Sequence, residues 1–193
     1  MRNYNYLWLI LPILIILILI YIFSYRLIDH NIPSKNSLVI KIPPNDVYQD
    51  IIKNKSFKIN DFKGNFILVN IWSSWCIACH TEMNILKKLK TEKKIIIIGL
   101  NYHDDPNKCL QFINKYNNIF DYIGVLTNSR QTVSWGIYAV PESFLINKEG
   151  EIIYKKLGPL TEIDLIEDIY KLIIFHALAS SEKQELHDVH NKV

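Results

Sequence analysis

Two cysteines separated by two residues and followed by a histidine allow two incompatible chemistries. The stretch Trp72-Ser73-Ser74-Trp75-Cys76-Ile77-Ala78-Cys79-His80 fits C-x-x-C-H, whose thiols bond covalently to a c-type haem. It also fits W-C-x-x-C, a dithiol that cycles through a disulfide. The first reading makes the chain an electron carrier. The second makes it a redox enzyme.

The elements that carry the motif separate the two. Before it lies Asn65-Phe66-Ile67-Leu68-Val69-Asn70-Ile71-Trp72, a near-continuous apolar run as expected of a strand buried on both faces. After it, Met83, Leu86 and Leu89 recur at helical spacing. Strand, Cys-x-x-Cys, helix puts Cys76 at a helix N-terminus, where the macrodipole and free N–H groups favour a thiolate. Cys79 lies one turn on, within reach of a disulfide. A haem would need a second axial ligand and a large apolar pocket. No methionine follows Met83, and His103, His176, His187 and His190 sit in no suggestive motif. A single C-x-x-C pair is too few ligands for a structural zinc site. The expectation is a dithiol with no metal and no cofactor.

Further elements follow the same logic. Lys94 to Tyr102 reads as a second buried strand. Asp105 then stands as N-cap with Pro106 at the first helical position. Glu142 to Asn147 and Glu151 to Gly158 read as strands around the turn Asn147-Lys148-Glu149-Gly150. Thr161 caps a closing helix whose apolar face is expected through Ile163, Ile166, Ile169 and Leu172 or Ile173. Strand, helix, strand, helix, hairpin and helix specify an α/β domain with a mixed sheet. There are no internal repeats. Cys109, beside Leu110 and Ile113, reads as a packed core residue. Lys87, Lys88, Lys90, Lys93 and Lys94 read as a solvated helix end.

The chain has 193 residues, 49% of them hydrophobic, and a net charge of +3. That excludes a wholly disordered chain, and no interleaved basic and aromatic patch suggests nucleic acid. Residues 7–25 hold a charge-free apolar segment from Leu7 to Phe23 flanked by Tyr25. It reaches the roughly 20 residues that span a bilayer. No small-residue cleavage site follows, so an uncleaved signal anchor is expected. It divides the chain into a cytoplasmic N-terminus (1–6), the anchor (7–25), a Pro- and Ser-punctuated linker (26–46), the α/β domain (47–178) and a polar tail (179–193).

Three stretches carry a resemblance beyond the cysteines: Asp61 to Met83, Gly99 to Ile113, and Trp135 to Gly158. They resemble the thioredoxin superfamily and, within it, the membrane-anchored thiol:disulfide interchange proteins of cytochrome c maturation, the CcmG/DsbE type. The run Gly136-Ile137-Tyr138-Ala139-Val140-Pro141-Glu142 is similar to that family's G-V-Y-G-x-P-E loop, with Ala139 in place of glycine. The resemblance implies a thioredoxin-like fold with a mixed central sheet flanked by helices, preceded by one transmembrane helix. It implies that Cys76 attacks, that Cys79 resolves and that the two form the redox disulfide. Pro141 would be a cis-proline presenting, with Val140, backbone groups to an extended substrate. Trp75 and Tyr138 would flank the site, and Glu82 and Glu142 would tune the thiols. Ordinary thioredoxins carry an aspartate six residues before the first cysteine; here Asn70 stands there, so the proton acceptor must come from elsewhere.

The implied function is a protein-disulfide reductase in the periplasm, anchored once in the bacterial inner membrane. It would reduce apocytochrome c or the haem-lyase partners that handle it, and be recharged by a membrane electron donor. A general extracytoplasmic reductase, a thiol oxidase, a non-catalytic module and a covalent haem protein are the alternatives.

Overall fold

The computed structural model describes residues 7–28, 42–92 and 95–179. It divides into two units, residues 1–37 and 38–193. The expected cytoplasmic N-terminus (1–6), most of the linker (29–41), Lys93, Lys94 and the tail from 180 with His187 and His190 lie outside the described residues.

In the first unit, helix α1 runs Leu7–Ile28 with Pro12 inside it. It therefore covers the whole apolar segment, and the described side chains of residues 11–21 are exposed. Among the described residues no helix is long and apolar enough to cross a membrane. The helix is present; the membrane span expected over 7–25 is not established by it.

The second unit is built on a five-stranded sheet. The strands are β3 (Phe66–Trp72), β4 (Ile95–Tyr102), β5 (Tyr122–Leu126), β6 (Glu142–Ile146) and β7 (Ile152–Leu157), in the order β5-β4-β3-β6-β7. β3 pairs parallel to β4 and antiparallel to β6. A short antiparallel hairpin, β1 (Tyr48–Gln49) and β2 (Ser56–Phe57), precedes it. Every residue of β3 is buried. Phe66, Leu68 and Trp72 enter one apolar cluster, whereas Ile67, Val69 and Ile71 enter another on the opposite face. The period-2 alternation of a strand thus divides one apolar run between two cores.

Helix α2 (Ile77–Glu92) packs Met83, Leu86 and Leu89 into the first core, as their spacing requires. Helix α3 (Pro106–Lys115) starts at Asp105, whose carboxylate accepts from the N–H groups of Asn107 and Lys108. Trp72 stacks on Phe112 and Phe120 at 4.4 and 5.5 Å between ring centroids. It lies so close to Gly99 that a Cβ there would sit 2.8 Å from the indole nitrogen. At this point β4 needs glycine.

Three elements have no counterpart in the sequence reading. They are the β1–β2 hairpin, strand β5 and helix α4 (Ser129–Trp135). All three are short. Trp135, at the end of α4, donates its indole N–H to the buried Tyr48 hydroxyl at 2.7 Å, a contact between distant parts of the chain.

The closing helix α5 covers residues 162–179, and Thr161 is its cap. Thr161 N–H donates to Asp164 at 3.0 Å, and the Asp164 N–H donates back to the Thr161 hydroxyl at 3.3 Å. Its apolar face departs from the expected one. Ile163 and Ile166 are exposed, while Leu165 and Ile169 are buried. The turn Asp164–Ile169 is π-helical, and the residues that pack inward are Leu165, Ile169, Leu172 and Ile173.

Candidate active site at a helix N-terminus

β3 ends at Trp72, and α2 begins five residues later at Ile77. Cys76 is the residue before that helix and Cys79 lies in its first turn. The two sulfurs form a disulfide, with Cα atoms 5.3 Å apart. Cys79 N–H points at Cys76 Sγ at 3.1 Å. After reduction that donor and the helix dipole both stabilise a thiolate on Cys76. Cys76 keeps 6% of its surface exposed and Cys79 none, so only Cys76 presents an edge to solvent.

The second wall is the loop before β6. α4 ends on Gly136 at φ 58°, a left-handed cap that suits glycine. The Val140–Pro141 bond is cis, and Val140 O lies 3.5 Å from Cys76 Sγ. Ala139 is not among the residues with positive φ, so alanine in place of glycine is accommodated there without strain. Tyr138 is largely exposed, and its ring lies 5.0 Å from the Lys155 ammonium.

Glu142 is fully buried. Its Oε1 accepts from Tyr138 N–H at 2.7 Å and Ala139 N–H at 3.0 Å, which ties the loop to the strand. Lys155 Nζ sits 3.0 Å from Oε2 as an ion pair, but Oε2 receives no well-aligned hydrogen bond. The same ammonium donates to Gly136 O at 2.8 Å. The Glu142 carboxylate thus shapes the loop through the backbone.

Glu82 is also fully buried, one turn beyond Cys79 on α2. Its Oε1 accepts from Asn70 Nδ2 and its Oε2 from Leu160 N–H, each at 2.9 Å. Burial raises its pKa to about 7, against the lowering effect of those two donors. A carboxyl group poised near neutrality can take and return a proton at physiological pH.

A third set of contacts holds the turn before Cys76. Ser73 hydroxyl donates to Tyr102 O. Ser74 donates through N–H and hydroxyl to Asp104 at 2.5 and 2.6 Å. Trp75 indole donates to His103 O at 3.0 Å. Three consecutive residues are therefore bonded to three consecutive residues at the end of β4 and just beyond it. Burial works against ionisation of Asp104, but hydrogen bonds from Ser74, Asn101 and Asp105 outweigh it and hold its pKa below the ordinary value. Trp75 itself is more than half exposed beside the disulfide.

His80 is half-buried rather than a free first-turn side chain. Its Nδ1 lies 2.8 Å from the Tyr116 hydroxyl and its Nε2 3.1 Å from Ser74 O. Both ring nitrogens are engaged within the fold. Cys109 is buried on α3, as its neighbours suggest, and burial, with the Asp104 charge adding, pushes its thiol up to about 12. Lys88 pairs with Glu162 and Lys90 with Asp121, so part of the lysine cluster ties α2 to its neighbours.

Sequence reasoning brought Trp75, Cys76, Cys79, Glu82, Tyr138, Val140, Pro141 and Glu142 forward, and the fold gathers them around the start of α2 and the loop before β6. It gave no part to Ser143 or to the Leu160 N–H. Their only sequence signal was indirect: a polar asparagine in the middle of an apolar strand needs buried partners.

The comparisons agree with this geometry. Residues 42–173 match the Redoxin family. Thiol:disulfide interchange protein CycY of Rhizobium leguminosarum bv. viciae is 37% identical over 107 residues, which cover 55% of this chain and 58% of that protein. Thiol:disulfide interchange protein DsbE of Allochromatium vinosum is 27% identical over 147 residues, 76% of each chain. The thioredoxin domain of a thiol-disulfide oxidoreductase from Bacteroides vulgatus superposes with a TM-score of 0.61 at 24% identity, covering 72% of this chain and 98% of that one. That last likeness shows the thioredoxin-like fold. The chain therefore belongs to the Redoxin family and is a thioredoxin-superfamily protein of the DsbE type.

Proposed function

We propose that the chain is a thiol:disulfide oxidoreductase that reduces the disulfide of apocytochrome c, or of the thiol proteins that hand it haem. The observation that carries this reading is the Cys76–Cys79 disulfide at the start of α2, facing Val140 O of the cis-proline loop, with the buried Glu82 one turn behind. Relatives named CycY, DsbE and HelX support the same assignment.

The reaction follows from the geometry. Reduced Cys76, exposed at the helix N-terminus, attacks a substrate disulfide as thiolate, and one substrate sulfur leaves as a thiolate. The mixed disulfide lies along the loop edge at Val140 and Pro141, where an extended peptide can pair with backbone groups. Cys79 then gives its proton to Glu82 and attacks Cys76 Sγ. This forms the intramolecular disulfide and releases the second substrate thiolate. Two electrons have passed to the substrate, and the pair must be reduced again by a membrane electron donor. The haem alternative is not favoured: His80 uses both ring nitrogens within the fold, and Cys79 is fully buried.

Direction is decided by the potential. Buried carboxyl groups at Glu82 and Glu142 disfavour nearby thiolates and so favour the disulfide. Equilibration with a glutathione redox buffer is expected to place the pair at roughly −200 to −270 mV, the range of glutaredoxins and thioredoxin. A value near about −120 mV would instead assign an oxidase.

The anchor belongs to the same proposal. The support for it is the sequence: residues 7–25, which open α1, hold no acidic or basic side chain before Arg26, close to the roughly 20 apolar residues that a bilayer span needs. A reporter active only outside the cytoplasm, fused after Val193, is expected to be active. Activity only of a cytoplasmic reporter would exclude the periplasmic maturation role, while leaving thiol chemistry in place.

A further inference from the structure

Asn70 stands in the middle of β3, opposite Gly99 of β4 and Ser143 of β6. It alternates with Leu68 and Trp72, which face the core that contains Cys79. An amide in that company is costly unless its hydrogen bonds are made. Asn70 makes them on one side only. Its Nδ2 donates to Glu82 Oε1 at 2.9 Å and to Ser143 Oγ at 3.0 Å. Its Oδ1 is buried with no hydrogen-bond partner among the described residues. Both N–H bonds are used and the acceptor is orphaned, so the side chain is held here as a donor.

The recipient of that donor is a carboxylate with little other support. Leu160 N–H is the second donor to Glu82. Among the described residues, Glu82 has neither an ion pair nor a cation within hydrogen-bond distance. From its own helix the titratable neighbour is Cys79. From β3 it meets Asn70, and through Asn70 it reaches Ser143 on β6; neither titrates. From the segment before α5 it meets a backbone amide. Of the charged side chains flanking that segment, Lys156 on β7 pairs with Asp164 on α5, and Glu162 on α5 pairs with Lys88 on α2. Lys155 on β7 pairs with Glu142 on β6.

We propose that Asn70 is a positioning residue that keeps Glu82 able to ionise near neutral pH, and so sets the pH window in which Glu82 can accept the Cys79 proton. The proposal rests on the reading of Cys76 and Cys79 as a redox pair. The amide does two things. Its N–H stabilises the ionised carboxyl selectively, because a carboxylate accepts where a neutral carboxyl must also donate. Its second bond, to Ser143 Oγ, uses the other N–H of the same Nδ2 and holds the amide in place. Without the donor, burial of Glu82 would be opposed by the Leu160 N–H alone, and the group would stay protonated to a higher pH when Cys79 must lose its proton. An aspartate at position 70 would act in the same direction by another route. Two carboxyl groups at that spacing share one proton, and the affinity for it rises.

The test uses the full chain and reads Glu82 in two ways. Infrared difference spectra against pH follow the carboxylic-acid C=O band, with Glu82→Gln identifying the Glu82 contribution. The pH dependence of the reduction potential follows the same proton through its coupling to the thiols. The wild-type band and the break in potential are expected at a common pH near neutrality. Asn70→Leu and Asn70→Asp should both move them upward by about one pH unit or more, about a tenfold rise in proton affinity. Asn70→Ala removes the donor without adding a charge and decides the matter if Asn70→Leu does not fold. A folded Asn70→Leu or Asn70→Ala chain whose Glu82 band titrates as in wild type overturns the proposal. So does a wild-type protein in which neither readout titrates with Glu82. Absence of thiol–disulfide exchange would overturn the functional reading instead, and the infrared titration would still report on Asn70.

Discussion

Cys79→Ser accumulates a mixed disulfide with its protein substrate, whereas Cys76→Ser accumulates none. This is the largest effect expected, because each variant removes one half of a two-step exchange. Cys76 holds the exposed edge and the stabilised thiolate: it precedes the first helical residue, receives the Cys79 N–H at 3.1 Å and faces the cis-proline loop. Without Cys79 the first attack still occurs, but no second thiol resolves it. Without Cys76 the remaining thiol is fully buried and cannot meet a protein disulfide. The measurement is non-reducing electrophoresis of the tagged chain after acid quenching, with identification of the trapped protein. Limited alkylation of the reduced wild type is expected to label Cys76 first. Preferential labelling of Cys79 would reverse the assignment of roles.

The second large effect is on stability against pH. Glu82 has a folded pKa of about 7 against an ordinary value of 4.5. Below the ordinary value both folded and unfolded chains hold the proton, and the group is neutral with respect to stability. Between the two values the unfolded chain loses the proton and the folded chain keeps it, so stability falls as pH rises. Above about 7 the full cost is expressed, on the order of 3 kcal/mol for a shift of this size. The oxidised protein is therefore expected to lose stability between about pH 4.5 and pH 7 on account of this residue. Denaturant unfolding of wild type and Glu82→Gln at several pH values isolates the contribution, since other titrating groups are common to both. Asp104 and Asp164 act in the opposite sense. Their folded pKa values are lowered, so they add stability above the ordinary aspartate range and lose it on acidification. A wild-type curve parallel to that of Glu82→Gln across the window would remove Glu82 from the account of proton exchange.

How far the site was legible depends on the range of the forces that build each part. Cys76 and Cys79 were readable because their chemistry depends on local spacing: two residues between thiols, a strand before them and a helix after. The buried strand β3 was readable because an unbroken apolar run has few other uses. Asp105 and Thr161 were readable as caps because a cap bonds within one turn of its own position. The short elements β1, β2, β5 and α4 were not. The Tyr48–Trp135 hydrogen bond joins the hairpin to α4, and neither sequence segment implies the other. The apolar face of α5 was misplaced at its start because Ile163, Leu165 and Ile166 are all apolar, and packing alone decides which of them turns inward.

Glu82 and Glu142 show the division most clearly. The sequence placed both carboxyl groups near the cysteines, one three residues after Cys79 and one beside Pro141. It left open whether either was a solvated surface charge. Both are fully buried, and their partners differ in kind. Glu142 binds the backbone of its own loop together with a lysine from the neighbouring strand. Glu82 is met by an amide from β3 and a backbone N–H from the segment before α5, with no cation at its oxygens among the described residues. The sequence by itself determined the reactive pair, the helix that presents it and the family to which it belongs, because those rest on residue type and short spacing. Only the tertiary structure decided which carboxyl group can exchange a proton near neutral pH. That property depends on desolvation and on donors brought from 12 and 78 residues away, and no local pattern encodes either.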